Sequence, residues 1–205
     1  EHRLTTWFDV FLPTLELRKK EVYEMLSDSA LFWISEYQFD GFRHDATKHI
    51  PEIFWRTLTR KLKENIVARE NRSLYQIGET YGNGELISSY LSSGMLDAQF
   101  DFNLYDALVA ALAKKEGSFI ELMEVLKESF YYYGDHNLMG NISGNQDRGR
   151  FISYAGGDLL FNEDSKKAGW TREIGVGEPV AYKKAALMMA FNMSIPGIPV
   201  IFYGD

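Results

Sequence analysis

Phe39-Asp40-Gly41-Phe42-Arg43-His44-Asp45-Ala46-Thr47-Lys48-His49 is the stretch on which the fold of this chain turns. Two aromatics and a glycine lead into Arg, Asp, Lys and His, the pattern of a buried strand that ends in a polar loop. Side chains alternate along a strand, so Arg43 and Asp45 face the same way. A guanidinium beside a carboxylate keeps it ionised and fixes its position. An ionised, immobile carboxylate at a strand end can act as a nucleophile. It can equally cap the next helix, with Arg43 as a structural partner, and the stretch alone leaves both readings open.

Working outward, Val22, Leu26, Ala30, Trp33 and Tyr37 recur at helical spacing and predict an amphipathic helix that packs its apolar stripe into the core. Before it, residues 5 to 17, with Trp7, Phe8, Phe11 and Pro13, read as an irregular loop. After the central stretch, Pro51 suits a first helical turn, and Phe54, Leu58, Leu62 and Ile66 form the stripe of a second helix. Ser73-Leu74-Tyr75-Gln76-Ile77-Gly78-Glu79-Thr80 is then a short apolar strand closing on Gly-Glu. Taken alone, Glu79 reads as a surface acid. With one helix between them, however, the two strands make one βα unit, so they should be parallel neighbours with Asp45 and Glu79 at the same end.

Further along, residues 82 to 95 read as loop plus a short helix, and residues 98 to 103 alternate as a strand does. Leu104 to Lys115 and Ser118 to Tyr132 look helical, the second with a stripe of Phe119, Leu122, Met123, Leu126 and Phe130 and a stop at Gly134. The Tyr131-Tyr132-Tyr133 run reads as packing. Asn141-Ile142-Ser143-Gly144-Asn145-Gln146-Asp147 brings a third carboxylate to the end of a strand. Residues 155 to 178, with five glycines, read as loop, and Gly175-Val176-Gly177 lacks the strand and helix that a phosphate-binding loop needs. A helix from Pro179 carries Met and Ala residues expected in the core, and Pro196 to Asp205 reads as a buried strand between turn signals. Three glycosylation triplets begin at Asn71, Asn141 and Asn192; such triplets arise by chance and the last two fall within predicted elements, so all three are discounted.

Strands near 39–45, 75–79, 98–102, 141–145 and 198–203 thus alternate with helices, the pattern of an α/β fold with a parallel sheet. The 205 residues suffice for one sizeable core. A net charge of −7 with no basic run argues against nucleic acid as a partner. The absence of cysteine removes disulfides, thiolate metal sites and thiol catalysis, without fixing the compartment. No apolar run is long enough to span a membrane, and Glu1-His2-Arg3-Leu4 does not read as a signal peptide. Aromatics at 15% suit a core and also suit stacking on sugars.

Gly41-Phe42-Arg43-His44-Asp45-Ala46-Thr47-Lys48-His49 resembles the strand-four motif of the α-amylase family of glycoside hydrolases, glycoside hydrolase family 13. Gly78-Glu79, Asn145-Gln146-Asp147 and the strand before Gly204-Asp205 resemble that family's strands five, seven and eight, in the same order. The resemblance implies a partial (β/α)8 TIM barrel, strands four to eight with their helices. Residues 1–205 would then be the C-terminal portion of a catalytic barrel, without the N-terminal strands or the C-terminal β-domain. It further implies a retaining glycosidase acting on α-glucans or malto-oligosaccharides. Asp45 would be the nucleophile, Glu79 the acid and then the base, and Asp147 the carboxylate that binds sugar hydroxyls and steadies developing positive charge.

In the same resemblance Arg43 keeps Asp45 charged, while Lys48 and His49 line the place of the leaving sugar. Gln146 departs from the family, which has histidine there, and is expected to hydrogen-bond the sugar. The family's equivalent of His49 often gives its backbone carbonyl to calcium, so the resemblance leaves calcium open; nothing in the sequence requires a cofactor. The motifs do not separate hydrolysis from transglycosylation or isomerisation, and a non-catalytic carbohydrate-binding relative is the rival from outside the enzymes. Five strands of an eight-stranded barrel would leave open edges, so the chain alone is expected to self-associate or to be poorly stable.

Overall fold

The structure is a computed structural model that describes Leu4 and residues 11–204. The loop expected over 5–17 therefore lies, for residues 5–10, outside the described residues. The chain divides into two compact units, residues 1–100 and 101–205.

In the first unit α1 (Lys20–Tyr37) packs on α2 (Glu52–Leu62), and three parallel strands follow in the order β1 (Gly41–His44), β2 (Tyr75–Gly78), β3 (Ala98–Gln99). Pro51 sits just ahead of α2, where its missing N–H costs nothing. Phe54, Leu58, Leu62 and Ile66 are all buried as the spacing predicts, Ile66 in a π-helical turn (Lys63–Val67) that continues α2. The α1 stripe is shifted from expectation. Its buried line runs through Ser27 and Ile34, with Val22, Leu26 and Ala30 packed beside it, while Trp33 and Tyr37 are half exposed. Those two rings instead stack on each other at 5.1 Å, and Tyr37 stacks on Phe39 at 5.8 Å. Lys61 of α2 is buried and pairs with Asp28 at 2.5 Å and Glu24 at 2.7 Å, which ties the two helices together.

β1 is half-buried rather than buried, and among the described residues it pairs only with β2, at the edge of the sheet. The register sets Arg43 opposite Ile77 and His44 opposite Gly78. Gly41 has φ +156°, and a Cβ there would lie 1.8 Å from the Tyr75 carbonyl oxygen, so the close strand pairing needs glycine. β3 is shorter than the alternation over 98–103 suggests, because Phe102 and Asn103 already belong to the next helix.

In the second unit the order is α4 (Phe102–Ala113), α5 (Phe119–Tyr133), β4 (Gly140–Ile142), α6 (Phe151–Gly156), α7 (Ser165–Thr171), α8 (Val180–Ser194) and β5 (Ile198–Val200), a short α3 (Gly84–Ser88) having preceded them in the first. Asp101 caps α4 through the Leu104 N–H at 3.0 Å, and Ser118 caps α5 through the Glu121 N–H at 3.2 Å. Gly134, with φ +70°, ends α5 as predicted. Only Leu122 and Leu126 of the expected α5 stripe are buried; Phe119, Met123 and Phe130 are exposed. Of the tyrosine run, Tyr133 packs inside, whereas Tyr131 and Tyr132 do not.

β4 is buried and pairs in parallel with β5. β5 is the exposed edge of that pair, which corrects the expectation of a buried last strand. The core reading of α8 holds for Ala181 and Met188 but not for Ala186, Ala190 and Met193, which are exposed. Asn141 and Asn192 are buried and committed to the Pro196 and Ile142 carbonyls at 3.2 and 3.1 Å, so neither is a glycan acceptor in the folded chain. The glycine-rich stretch 155–178 is not all loop: α7 interrupts it, started by Asp164, whose carboxylate accepts from the N–H groups of Lys166 and Lys167.

Candidate active site

Asp45 and Glu79 follow the last residues of β1 and β2, which the register sets side by side. The loop between them is held by backbone bonds. The Glu79 N–H donates to the His44 carbonyl at 2.9 Å, and the Thr47 N–H donates to the Glu79 carbonyl at 2.9 Å. The Thr47 hydroxyl also accepts from the Glu79 N–H at 3.1 Å. Gly78 is needed beneath this loop, since a Cβ there would come within 2.5 Å of Thr47 Oγ1. Ala46 takes a left-handed conformation, φ 47° and ψ 41°, unusual for a residue with a side chain. That turn aims its N–H at the Glu79 carboxyl.

Arg43 joins the two acids. Its Nη1 donates to Asp45 Oδ1 at 2.5 Å, and its Nη2 lies 2.9 Å from Glu79 Oε1. The second contact is an ion pair by distance whose angle falls outside hydrogen-bond geometry. The environments differ sharply: the Asp45 side chain is 73% exposed, that of Glu79 10%. The Arg43 hydrogen bond lowers the pKa of Asp45 below the ordinary carboxylate value, against a smaller opposing effect of burial. Burial raises the pKa of Glu79; Arg43 opposes this, and the hydrogen bond with Asp45 adds to the rise. Two carboxyls held by one guanidinium are thus pushed in opposite directions, one toward a permanent anion and one toward an acid.

Lys48 and His49 lie on a 3-10 turn, Thr47–His49, just past Asp45. Lys48 Nζ donates to the Tyr81 carbonyl at 2.7 Å and so ties this turn to the segment after Glu79. Tyr90 adds a 3.3 Å bond from its hydroxyl to the Lys48 carbonyl. Sequence reasoning assigned no part to the polar chain beneath: His44 Nε2 meets Gln76 Oε1 at 3.1 Å, and Gln76 Nε2 donates to Thr59 Oγ1 at 2.8 Å. The signal was the alternation itself, which puts His44 on the face opposite Arg43. Among the described residues no three His, Asp or Glu side chains gather into a metal-sized cluster. A backbone carbonyl such as that of His49 is not a member of such a cluster, and no step below runs through a metal ion.

Gln146 and Asp147 belong to the second unit, in the turn after β4. Both are exposed, with Gln146 Nε2 3.4 Å from Asp147 Oδ2, and the Asp147 N–H donates to Asn145 Oδ1 at 3.0 Å. They line a cleft of about 230 Å³ together with Arg150, Ser165 and Lys166. Lys166 Nζ stands 3.9 Å from Asp147 Oδ1, a contact the sequence does not announce because the glycines around α7 give that stretch the look of a loop.

Comparison with known proteins places this arrangement. A cyclomaltodextrinase of Geobacillus thermopakistaniensis is 26% identical over 95% of this chain and 28% of its own length. Alpha-amylase 3 of Dictyoglomus thermophilum is 28% identical over 95% of this chain and 34% of its own. The chain thus spans about a third or less of the curated relatives it matches. Among solved structures, the alpha-amylase of Geobacillus thermoleovorans complexed with acarbose gives a TM-score of 0.76 at 27% identity, covering 98% of this chain and 40% of that one. An Anoxybacillus alpha-amylase gives 0.73, also at 27% identity, over 94% of this chain and 37% of that one. The parallel strands and their helices are accordingly a segment of a (β/α)8 barrel. With the sequence profile described as Alpha amylase, catalytic domain, matching residues 4–205, the chain belongs to the α-amylase catalytic-domain family.

Proposed function

We propose that the protein is a retaining glycosidase that cleaves α-glucosidic bonds of starch-like glucans or maltodextrins through a covalent glycosyl-aspartate. The observation that carries this reading is the Arg43-bridged pair of carboxyls with opposed pKa shifts. In the first step an Asp45 oxygen bonds to the anomeric carbon as the bond to the leaving oxygen breaks, and that oxygen takes the Glu79 proton. In the second, Glu79, now a carboxylate, removes a proton from water as the water oxygen bonds to the anomeric carbon and releases Asp45. Both carboxyls sit on one guanidinium, at 2.5 and 2.9 Å, an arrangement that suits retention, since inverting enzymes hold theirs ~6.5–9.5 Å apart to admit a water.

Asp147 in this reading binds sugar hydroxyls and offsets the oxocarbenium-like charge, with Gln146 donating a hydrogen bond beside it. Lys48 and His49 shape the leaving-sugar side. The relatives named cyclomaltodextrinase, maltogenic alpha-amylase and alpha-amylase support a substrate from the α-glucans.

Trapping with a fluorinated glucosyl substrate, followed by peptide mapping, tests the mechanism. The sugar is expected on Asp45, and Asp45→Asn is expected to abolish both trapping and turnover. A sugar trapped on another residue would sink the assignment. Products from starch, pullulan and short maltodextrins separate hydrolysis, which releases free reducing ends, from transglycosylation, which lengthens acceptors. No turnover with retained binding would leave a carbohydrate-binding protein instead.

A further inference from the structure

Helix α7 presents to solvent two side chains suited to a sugar. Trp170 is 91% exposed, and Lys166 stands one helical turn before it. Residues four apart share a helix face, and the only buried residue of α7, Ala168, lies on the opposite side. The exposure does not come from a loose segment. Arg172, just after α7, donates to the Asp158 carbonyl at 2.8 Å and to Glu163 at 2.7 Å, and Ser153 of α6 donates to the Gly175 carbonyl at 2.7 Å. The whole arm is therefore pinned to the second unit with its indole turned outward.

A fixed, bare indole is an unusual surface feature, because tryptophan is highly buried on average. Position supplies its reason. Lys166 Nζ reaches into the cleft that holds Gln146 and Asp147 and lies 3.9 Å from Asp147. At that distance, with both side chains open to water, the ion pair is weak and can be exchanged for sugar hydroxyls at little cost. Trp170 lies about 6 Å farther along the helix axis. A sugar ring has an apolar C–H face and a rim of hydroxyls, so it fits a flat aromatic on one side and charged or amide donors along its edge. At about 230 Å³ the cleft is smaller than most ligand pockets and suits one ring rather than a chain of them.

Resting on the glycosidase reading above, we propose that α7 forms a further α-glucan subsite beside Asp147, with Lys166 donating to sugar hydroxyls and Trp170 stacking on a neighbouring ring. The pair sets preference for longer malto-oligosaccharides over shorter ones. Neither residue takes part in bond breaking.

Calorimetric binding of maltoheptaose and maltotriose to the intact protein tests this, in an Asp45→Asn background that prevents turnover. Trp170→Ala is expected to weaken maltoheptaose binding about tenfold, or ~1.4 kcal/mol. Lys166→Met should weaken it several-fold and Lys166→Arg much less, and maltotriose should lose less than maltoheptaose in each case. Binding of maltoheptaose should quench tryptophan fluorescence, and Trp170→Phe should remove most of that change. Unchanged maltoheptaose affinity in Trp170→Ala, with an unchanged melting temperature, overturns the subsite. So does an altered oligomeric state without altered affinity, which would make Trp170 a protein contact. A parent that binds maltoheptaose through Trp170 but never cleaves α-glucans overturns the glycosidase reading and leaves the subsite standing.

Discussion

At the scale of single residues, Arg43 decides most. It lowers the pKa of both acids, but it is the leading influence on Asp45 and only a counterweight to burial at Glu79. Turnover needs Asp45 ionised and Glu79 protonated, so the acid limb of the rate profile follows Asp45 and the alkaline limb follows Glu79. Arg43→Gln removes a downward pull on each, so both limbs should move to higher pH, and the maximum rate should drop by on the order of 10²-fold as the nucleophile loses its anchor. A kcat/KM profile with unmoved limbs would contradict this role. Gln146 is the other residue to test. It is neutral and carries both a donor and an acceptor, so it can replace the hydrogen bond of the family's histidine but not its charge. A charged donor adds on the order of 1 kcal/mol, so Gln146→His should raise kcat several-fold. A parent without turnover whose histidine variant is active would show instead that this site has lost its chemistry.

At the scale of elements, β1 carries function on one face and a liability on the other. Arg43 turns toward the acids, while His44 turns under α2, its ring 4.7 Å from that of Trp55. Burial lowers the pKa of His44 to about 4, the hydrogen bond with Gln76 partly opposing and Arg43 adding to the fall. A base whose folded pKa is depressed binds its proton more readily when unfolded. Stability tied to His44 is therefore complete above about pH 6.5 and falls as pH drops toward about 4. The full loss is about 3 kcal/mol. His44→Met should flatten the pH dependence of the urea midpoint across that window; an unchanged slope would show that other groups set the acid limit. This element also shows what the sequence made legible. Strand alternation and one βα spacing were enough to bring Asp45 and Glu79 together, because backbone geometry alone fixes them. The α2 stripe was legible for the same reason. The faces of α5 and α8 were not, since spacing tells which residues align but not which aligned row finds a partner. Nor was α7, whose Gly169 and flanking glycines mask a helix started by the Asp164 cap.

At the scale of the molecule, the 205-residue polypeptide carries two sheets whose backbone edges are unpaired among the described residues. β1 ends the three-stranded sheet of the first unit and β5 ends the pair in the second, and each is flanked by an exposed apolar residue, Phe39 and Ile201. Edges with apolar neighbours are templates for pairing with another copy; β5 carries one blunting residue, Pro199, at its middle, while β1 carries neither Lys nor Pro. A net charge of −7 works against association by mutual repulsion, over a Debye length of ~8–10 Å at ordinary salt. Two forces of opposite sign then make a distinct expectation. Produced alone, the polypeptide should self-associate, more strongly at higher protein concentration, and more strongly again as salt screens the repulsion. Sedimentation velocity across a concentration and salt series measures this. Phe39→Lys and Ile201→Lys, which place a charge beside each edge, should shift the distribution toward monomer, the double variant more than either single one. Light scattering on heating should fall in the same order. A wild-type polypeptide that sediments as a monomer at every concentration and unfolds in one cooperative step would show that both edges are already protected, and the edge argument would fail.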